Sequence, residues 1–66
     1  MRMFCYSTRS DPATREQLFQ YTVQSGGWIS NLDIRGFRLY IPETHRAWAL
    51  LIDSELRRQP ELDYIA

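Results

Sequence analysis

The clearest pattern in the chain runs from Trp28 to Ile41, where apolar and polar residues alternate on either side of Arg35-Gly36. An alternation with a period of two is typical of β-strands, and a two-residue turn at Arg35-Gly36 would join two such strands as an antiparallel hairpin. That register sets apolar residues opposite apolar residues and a negative charge opposite a positive one. The predicted pairs are Ile34 with Phe37, Leu32 with Leu39, and Asp33 with Arg38.

The same alternation predicts which face of the hairpin is buried. The predicted core face carries Trp28, Leu32, Ile34, Phe37, Leu39 and Ile41. The predicted outer face carries Ile29, Asn31, Asp33, Arg38 and Tyr40. No other part of the chain is left to cover this outer face, and exposed apolar patches on small proteins tend to be interaction surfaces.

The first half of the chain predicts a strand followed by a helix. Residues 3–7 are apolar and aromatic and predict the strand. Asp11 can cap a helix that begins at Pro12 and runs to about Ser25, where Gly26-Gly27 ends it. Its predicted apolar face consists of Leu18, Phe19, Thr22 and Val23.

A second helix is predicted from Pro42 to about Gln59, with Pro60 ending it. Its predicted apolar stripe consists of Trp48, Leu51, Ile52 and Leu56. Leu50 points away from that stripe and is expected to be exposed. Residues 62–65 alternate apolar and polar, which fits either a short last strand or a tail.

These elements give the order β-α-β-β-α, with a further strand if residues 62–65 form one. The order predicts an α+β fold of the ferredoxin-like (split βαβ) type, an antiparallel sheet with both helices on one face. A right-handed first crossover would place the first strand beside the third. The first strand contributes either Phe4 and Tyr6 or Met3 and Cys5 to the outer face, and the 66 residues are expected to form one domain, residues 1–66.

Charge and cysteine content narrow the function classes. Eight acidic residues balance eight basic ones, all of them arginine, which argues against a general nucleic-acid binder and against attachment to an anionic membrane. One cysteine fits a reducing compartment, and the longest apolar run, residues 47–52, is far too short to span a bilayer. We therefore expect a soluble, cytoplasmic protein with no membrane partner.

Candidate catalytic chemistry is sparse. One cysteine and one histidine predict no metal site, and no cofactor is expected. Cys5 and His45 are the conventional nucleophile and base, but a cysteine inside a strand is usually a small hydrophobic residue. No catalytic residue is predicted.

Ser7-Thr8-Arg9-Ser10, which leads into the first helix, resembles the phosphate cradle of acylphosphatase-type enzymes. The resemblance implies an anion held by Arg9 and Asn31. The chain lacks that family's glycine-rich loop, and a capped helix with a surface arginine accounts for the same residues.

Residues 35–40, Arg-Gly-Phe-Arg-Leu-Tyr, are similar to part of the third-strand motif of RNA-recognition domains, and residues 3–6 stand where that family has its first-strand motif. The resemblance implies bases stacked on the sheet. The chain departs from the motif at Arg38 and Leu39, where the family has a glycine and an aromatic residue.

The function these features favour is a non-enzymatic protein-interaction module. Such a module would regulate or inhibit a larger cellular machine by occupying a surface, as inhibitors encoded by phages or other mobile elements do. Aromatic and arginine side chains are the usual anchors of interfaces. The predicted partner-binding residues are Tyr40, Arg38, Ile29, Tyr6 and Leu50. The alternative is an RNA- or single-stranded-DNA-binding module that uses the open sheet face, and a homodimer through the sheet is a further option.

Overall fold

The computed structural model describes residues 1–33 and 36–65, without the side chains of residues 31–33 and 36. The strands are β1 (Arg2–Thr8), β2 (Trp28–Asp33), β3 (Gly36–Pro42), β4 (Arg57–Arg58) and β5 (Tyr64–Ile65). The helices are α1 (Pro12–Gln24) and α2 (Arg46–Ile52), with short 3-10 helices at Glu43–His45 and Pro60–Leu62.

The strands form one antiparallel, curled sheet in the order β2-β3-β1-β4, and β5 also pairs with β1. The predicted placement of the first strand beside the third is therefore confirmed. Met3 of β1 pairs with Pro42 on one side and with Tyr64 on the other. It follows that β4 and β5 lie one after the other along the same edge of β1. Two helices and an antiparallel sheet make this an α+β fold. Residues 62–65 fit either a strand or a tail by sequence, and the structure has a strand there, β5.

The core lies between the sheet and the two helices. Its buried members are Phe4, Tyr6, Leu18, Leu39, Ile41, Ala49 and Leu56. Phe4 and Tyr6 are thus the residues of β1 that face the helices, and Tyr6, which is 3% exposed, is not the surface contact that the sequence predicted. Met3 and Cys5 alternate with them and are buried too, so β1 is covered on both faces.

Helix α1 follows its sequence signals closely. Asp11 caps it by accepting a hydrogen bond from the Thr14 backbone amide at 3.4 Å. Gly26, with φ of 93°, takes the left-handed conformation just after the helix ends. Leu18 and Thr22 are fully buried, but Val23, predicted on the same face, is 62% exposed.

The hairpin forms in a different register from the predicted one. Leu39 faces Ile29 and not Leu32, and Arg38 faces Ser30 and not Asp33. The predicted pair Ile34–Phe37 involves Ile34, which lies outside the described residues. The register shifts between Ser30 and Asp33. Because a shift by an odd number of residues exchanges the two faces of a strand, Ile29 turns toward the core and Trp28 turns outward.

Helix α2 is much shorter than predicted and ends at Ile52. Asp53 accepts a hydrogen bond from the Glu55 backbone amide at 2.9 Å, which forms a turn that the helix cannot continue through. The predicted apolar stripe is therefore wrong in part. Trp48 and Leu51 are 62% and 76% exposed, and Ala49 is the residue of α2 that is buried.

Candidate functional site

The outer face of the sheet, which is turned away from the helices, carries a cluster of three aromatic rings. We call Trp28, Tyr40 and Tyr64 the aromatic platform. The Trp28 and Tyr40 rings stack with centroids 4.9 Å apart, and Tyr64 meets Trp28 edge to face at 5.5 Å. Trp28 is 39% and Tyr64 50% exposed, so both rings offer surface to a partner.

A buried cysteine, Cys5, lies next to Tyr40 of the aromatic platform. Cys5 lies opposite Tyr40 on the neighbouring strands β1 and β3 and is completely buried. Burial raises the pKa of the Cys5 thiol, and burial together with the Cys5 contact raises the pKa of the Tyr40 hydroxyl. Both groups therefore stay neutral at physiological pH, and the thiol packs as a small apolar group.

The structure gives the two halves of the candidate nucleophile–base pair different partners. Nδ1 of His45 lies 2.9 Å from the Tyr21 hydroxyl, with which it shares a hydrogen bond. Cys5 is buried opposite Tyr40 on the neighbouring strand. The geometry thus shows no dyad between Cys5 and His45.

A row of arginine and serine residues crosses the outer face beside the platform. Directly opposed residues of antiparallel strands point to the same side of a sheet. Four strands contribute one residue each to this arginine row: Ser30, Arg38, Ser7 and Arg57. The row lies two residues along each strand from the Trp28–Tyr40–Cys5 row, so cationic and aromatic side chains share one surface.

One end of the arginine row opens into a cavity of about 190 Å³. Its lining residues are Ser7, Arg9, Ser10, Glu55 and Arg57. Ser7 and Arg57 belong to both the row and the cavity. Arg9, Glu55 and Arg57 are exposed, and among the described residues neither arginine forms an ion pair.

Asp53 fixes the wall behind this cavity. Its carboxylate accepts hydrogen bonds from the Thr8 hydroxyl at 3.0 Å, from the Ser10 hydroxyl and from the Glu55 amide. Burial raises the pKa of Asp53, but these hydrogen bonds outweigh it, so the pKa lies below its usual value. The negative charge joins the end of α2 to the loop between β1 and α1.

The helix side of the sheet carries a second cluster of charge, at the edge of β1. Asp63 accepts hydrogen bonds from both terminal nitrogens of Arg58, at 2.5 and 2.6 Å, and from Arg2 at 3.3 Å. Its Oδ1 also accepts the Cys5 backbone amide at 2.9 Å. The Arg58 guanidinium in turn lies 4.0 Å from the centre of the Phe4 ring. These contacts hold the C-terminal segment against β1.

The five predicted partner-binding residues do not come together as one surface. Tyr40 and Arg38 lie side by side on the outer face, as predicted. Ile29 packs against the core, Tyr6 is buried, and Leu50 lies on α2 at the helix side. The Asn31 side chain, which the acylphosphatase resemblance would pair with Arg9, lies outside the described residues.

Sequence reasoning missed three residues of the outer face. The predicted register puts Trp28 in the core, and the predicted second helix includes Arg57, which instead lies in β4. The position of Tyr64 could have been predicted, because the alternation of residues 62–65 is a strand signal that puts Tyr64 and Leu62 on one side.

Comparison with known proteins returns no match: no protein-family model, curated protein or solved structure is similar to the chain. Within residues 1–33 and 36–65, no helix combines the length and the apolar character needed to cross a bilayer. The same part of the chain holds no group of three or more His, Cys, Asp or Glu side chains placed to bind a metal ion.

Proposed function

We propose that the protein is a non-enzymatic interaction module that binds another protein through the outer face of its sheet. The observation that carries this proposal is the aromatic platform, whose exposed Trp28 ring lies next to the arginine row and whose exposed Tyr64 ring extends the platform on the side away from that row. Tryptophan, tyrosine and arginine are the residues that most often dominate binding energy at protein interfaces. Occupying a surface in this way would regulate or inhibit a larger cytoplasmic assembly, as inhibitors from phages and other mobile elements do.

The platform is suited to binding because its rings are already held in place. Tyr40 lies opposite the completely buried Cys5 on the neighbouring strand, and its ring stacks on Trp28. Little side-chain entropy is then lost when a partner contacts these rings, and lost entropy is a main cost of association.

We expect Tyr64→Ala and Trp28→Ala each to reduce partner binding about thirtyfold or more, since truncating an interface anchor removes about 2 kcal/mol or more. Tyr64 is half exposed, so the fold should survive its loss. The measurement is the amount of co-purifying protein recovered from a nuclease-treated lysate by each tagged variant, with circular dichroism as the folding check.

Trp48→Ala is the matched control. Trp48 is an exposed tryptophan on α2, on the helix side of the sheet, next to the exposed Leu51. Its loss should leave the recovered partner unchanged. If Trp48→Ala abolishes binding while Tyr64→Ala and Trp28→Ala do not, the interface lies on α2 and the platform is not the binding site.

The second candidate function is binding of RNA or single-stranded DNA on the same face. The arginine row favours it, because cationic side chains next to exposed rings suit a chain of phosphates and stacked bases. Salt distinguishes the two functions. Nucleic-acid binding should weaken steeply as salt is raised, because each phosphate contact adds to the salt dependence, whereas binding through the aromatic rings and a single carboxylate should weaken much less.

We also infer that the domain is a variant of the ferredoxin-like arrangement. The strand order β2-β3-β1-β4, with α1 between β1 and β2 and α2 between β3 and β4, supports this. The variant has a last edge divided into β4 and β5, with the 3-10 helix at Pro60–Leu62 between them.

A further inference from the structure

We infer that the cavity at the end of the arginine row is an anion site that takes a carboxylate from an acidic segment of the protein partner. The inference rests on the proposed function, because the cavity is continuous with the outer face through Ser7 and Arg57. It adds the chemistry of the partner to the location of the interface.

The cavity offers hydrogen-bond donors that the fold does not use. Arg9, from the loop after β1, and Arg57, from β4, reach it from different elements and form no ion pair among the described residues. The Ser7 oxygen accepts a hydrogen bond from the Gln59 side chain at 3.2 Å, which leaves the Ser7 hydroxyl proton free to donate. Guanidinium groups bind planar carboxylates through paired hydrogen bonds.

The other polar groups at the cavity either have hydrogen-bond partners already or carry a negative charge. The Ser10 hydroxyl is bound to Asp53, and the Asp53 carboxylate is already occupied by three donors. Glu55 lines the cavity without pairing with either arginine. An incoming carboxylate therefore meets two cations and two anions: the charge of Asp53 is partly offset by its three donors, whereas the exposed Glu55 opposes binding directly.

The size and charge of the site favour a single carboxylate over a nucleic-acid backbone. The volume of about 190 Å³ is enough for one acidic side-chain group. A chain of phosphates is bound through many cations, and this protein has no excess of them, since eight acidic residues balance its eight arginines. One carboxylate beside the arginine row gains the attraction of Arg38 as well.

The test is a titration of the isotope-labelled full chain with hexaglutamate at low ionic strength, followed by the NMR signals of the arginine side chains. We expect the Arg9 and Arg57 signals to move and the apparent affinity to fall about fivefold in Arg9→Gln and in Arg57→Gln, the loss of about 1 kcal/mol per hydrogen-bonding partner. Glu55→Gln should instead strengthen binding about twofold, since removing a like charge at an exposed site yields a few tenths of a kcal/mol. Hexaglutamine should not bind.

Arg46→Gln is the control for general attraction between opposite charges. Arg46 is an exposed arginine on α2 whose guanidinium lies over Phe4, away from the cavity. If Arg46→Gln weakens hexaglutamate binding as much as Arg9→Gln does, or if Glu55→Gln has no effect, the cavity is not a specific site and the inference is wrong. If hexathymidylate binds the same arginines more tightly than hexaglutamate, the occupant is nucleic acid and the acidic-segment inference is overturned.

Failure of the proposed function gives a different result. Loss of partner recovery in Tyr64→Ala concerns the platform, whereas the hexaglutamate titration concerns Arg9 and Arg57 and uses no cellular partner. Suppose that the chain binds hexaglutamate as expected, but that partner recovery is unchanged in Tyr64→Ala and Trp28→Ala. The anion site would then be supported, and the proposed interface would be wrong.

Discussion

Gly27→Ala is expected to leave most of the protein unfolded. Gly27 lies between α1 and β2, and its backbone amide donates to the Thr22 carbonyl at 2.9 Å. A methyl group at its Cα would overlap the backbone carbonyl oxygen of Tyr40 and would lie 3.1 Å from the Thr22 methyl carbon. Backbone atoms cannot yield as a flexible side chain can, so we expect a loss of about 3 kcal/mol or more. Domains of this size have about 3 to 5 kcal/mol in total.

Gly26→Ala is the control for this prediction. Gly26 has φ of 93° and nothing within 4 Å of an added methyl group. Alanine there meets only the strain of the left-handed backbone, which costs about 1 kcal/mol. Urea denaturation followed by tryptophan fluorescence compares the two free energies of unfolding. Equal losses in the two variants would mean that the contact between Gly27 and Tyr40 is not close.

Asp63→Ala is expected to cost about 3 kcal/mol in the free energy of unfolding. The change removes both hydrogen bonds to Arg58, leaves the Arg58 charge without its partner, and deprives the Cys5 amide of its acceptor. Breaking a largely buried ion pair costs more than an exposed one because the remaining charge stays desolvated. The Asp63 side chain is 7% exposed and that of Arg58 29%.

The same carboxylate makes the stability of the protein depend on pH. Hydrogen bonds from Arg58 hold the pKa of Asp63 at about 2, well below the usual 3.8. A carboxylate whose pKa is lowered by folding stabilises the fold above its unfolded-state pKa, and this contribution is lost as the pH falls toward the folded-state pKa. We therefore expect the native chain to lose about 2 kcal/mol from this residue between pH 4 and pH 2.

Asp63→Asn isolates this contribution from those of the other carboxylates. Its free energy of unfolding should fall less steeply over the same pH range than that of the native chain. Arg2→Gln should change little, because the Arg2 side chain is 50% exposed and its contact with Asp63 is longer, at 3.3 Å. Parallel pH profiles for the native chain and Asp63→Asn would contradict the role assigned to Asp63.

Local signals in the sequence predicted the elements that depend on local chemistry. Asp11 and Pro12 mark the start of α1 through the free amides of its first turn, and Gly26 marks its end through a backbone conformation that other residues avoid. The alternation of Phe37, Leu39 and Ile41 correctly identified the face of β3 that turns toward the helices. The α+β class and the position of β1 beside β3 follow from these elements.

Features that depend on distant contacts were not predictable in the same way. The hairpin register is set by a shift between Ser30 and Asp33 that no alternation reveals, and it moved Trp28 onto the outer face. Asp53, at the end of α2, also accepts hydrogen bonds from Thr8 and Ser10, which are far away in sequence. The alternation of residues 62–65 fits either a strand or a tail, and it does not reveal that Asp63 is nearly buried in its contacts with Arg58 and Cys5.

The division of the last edge into β4 and β5 has a consequence for self-assembly. Each of these strands has two residues, and between them the Asp63 carboxylate takes the place of a backbone acceptor for Cys5. A foreign strand cannot add to so short and interrupted an edge. On the other side of the sheet, β2 has six residues and pairs only with β3 among the described residues. If two copies paired through their β2 strands, neither copy would have an open edge left for a third chain. The result would be a closed dimer that cannot grow into a fibre.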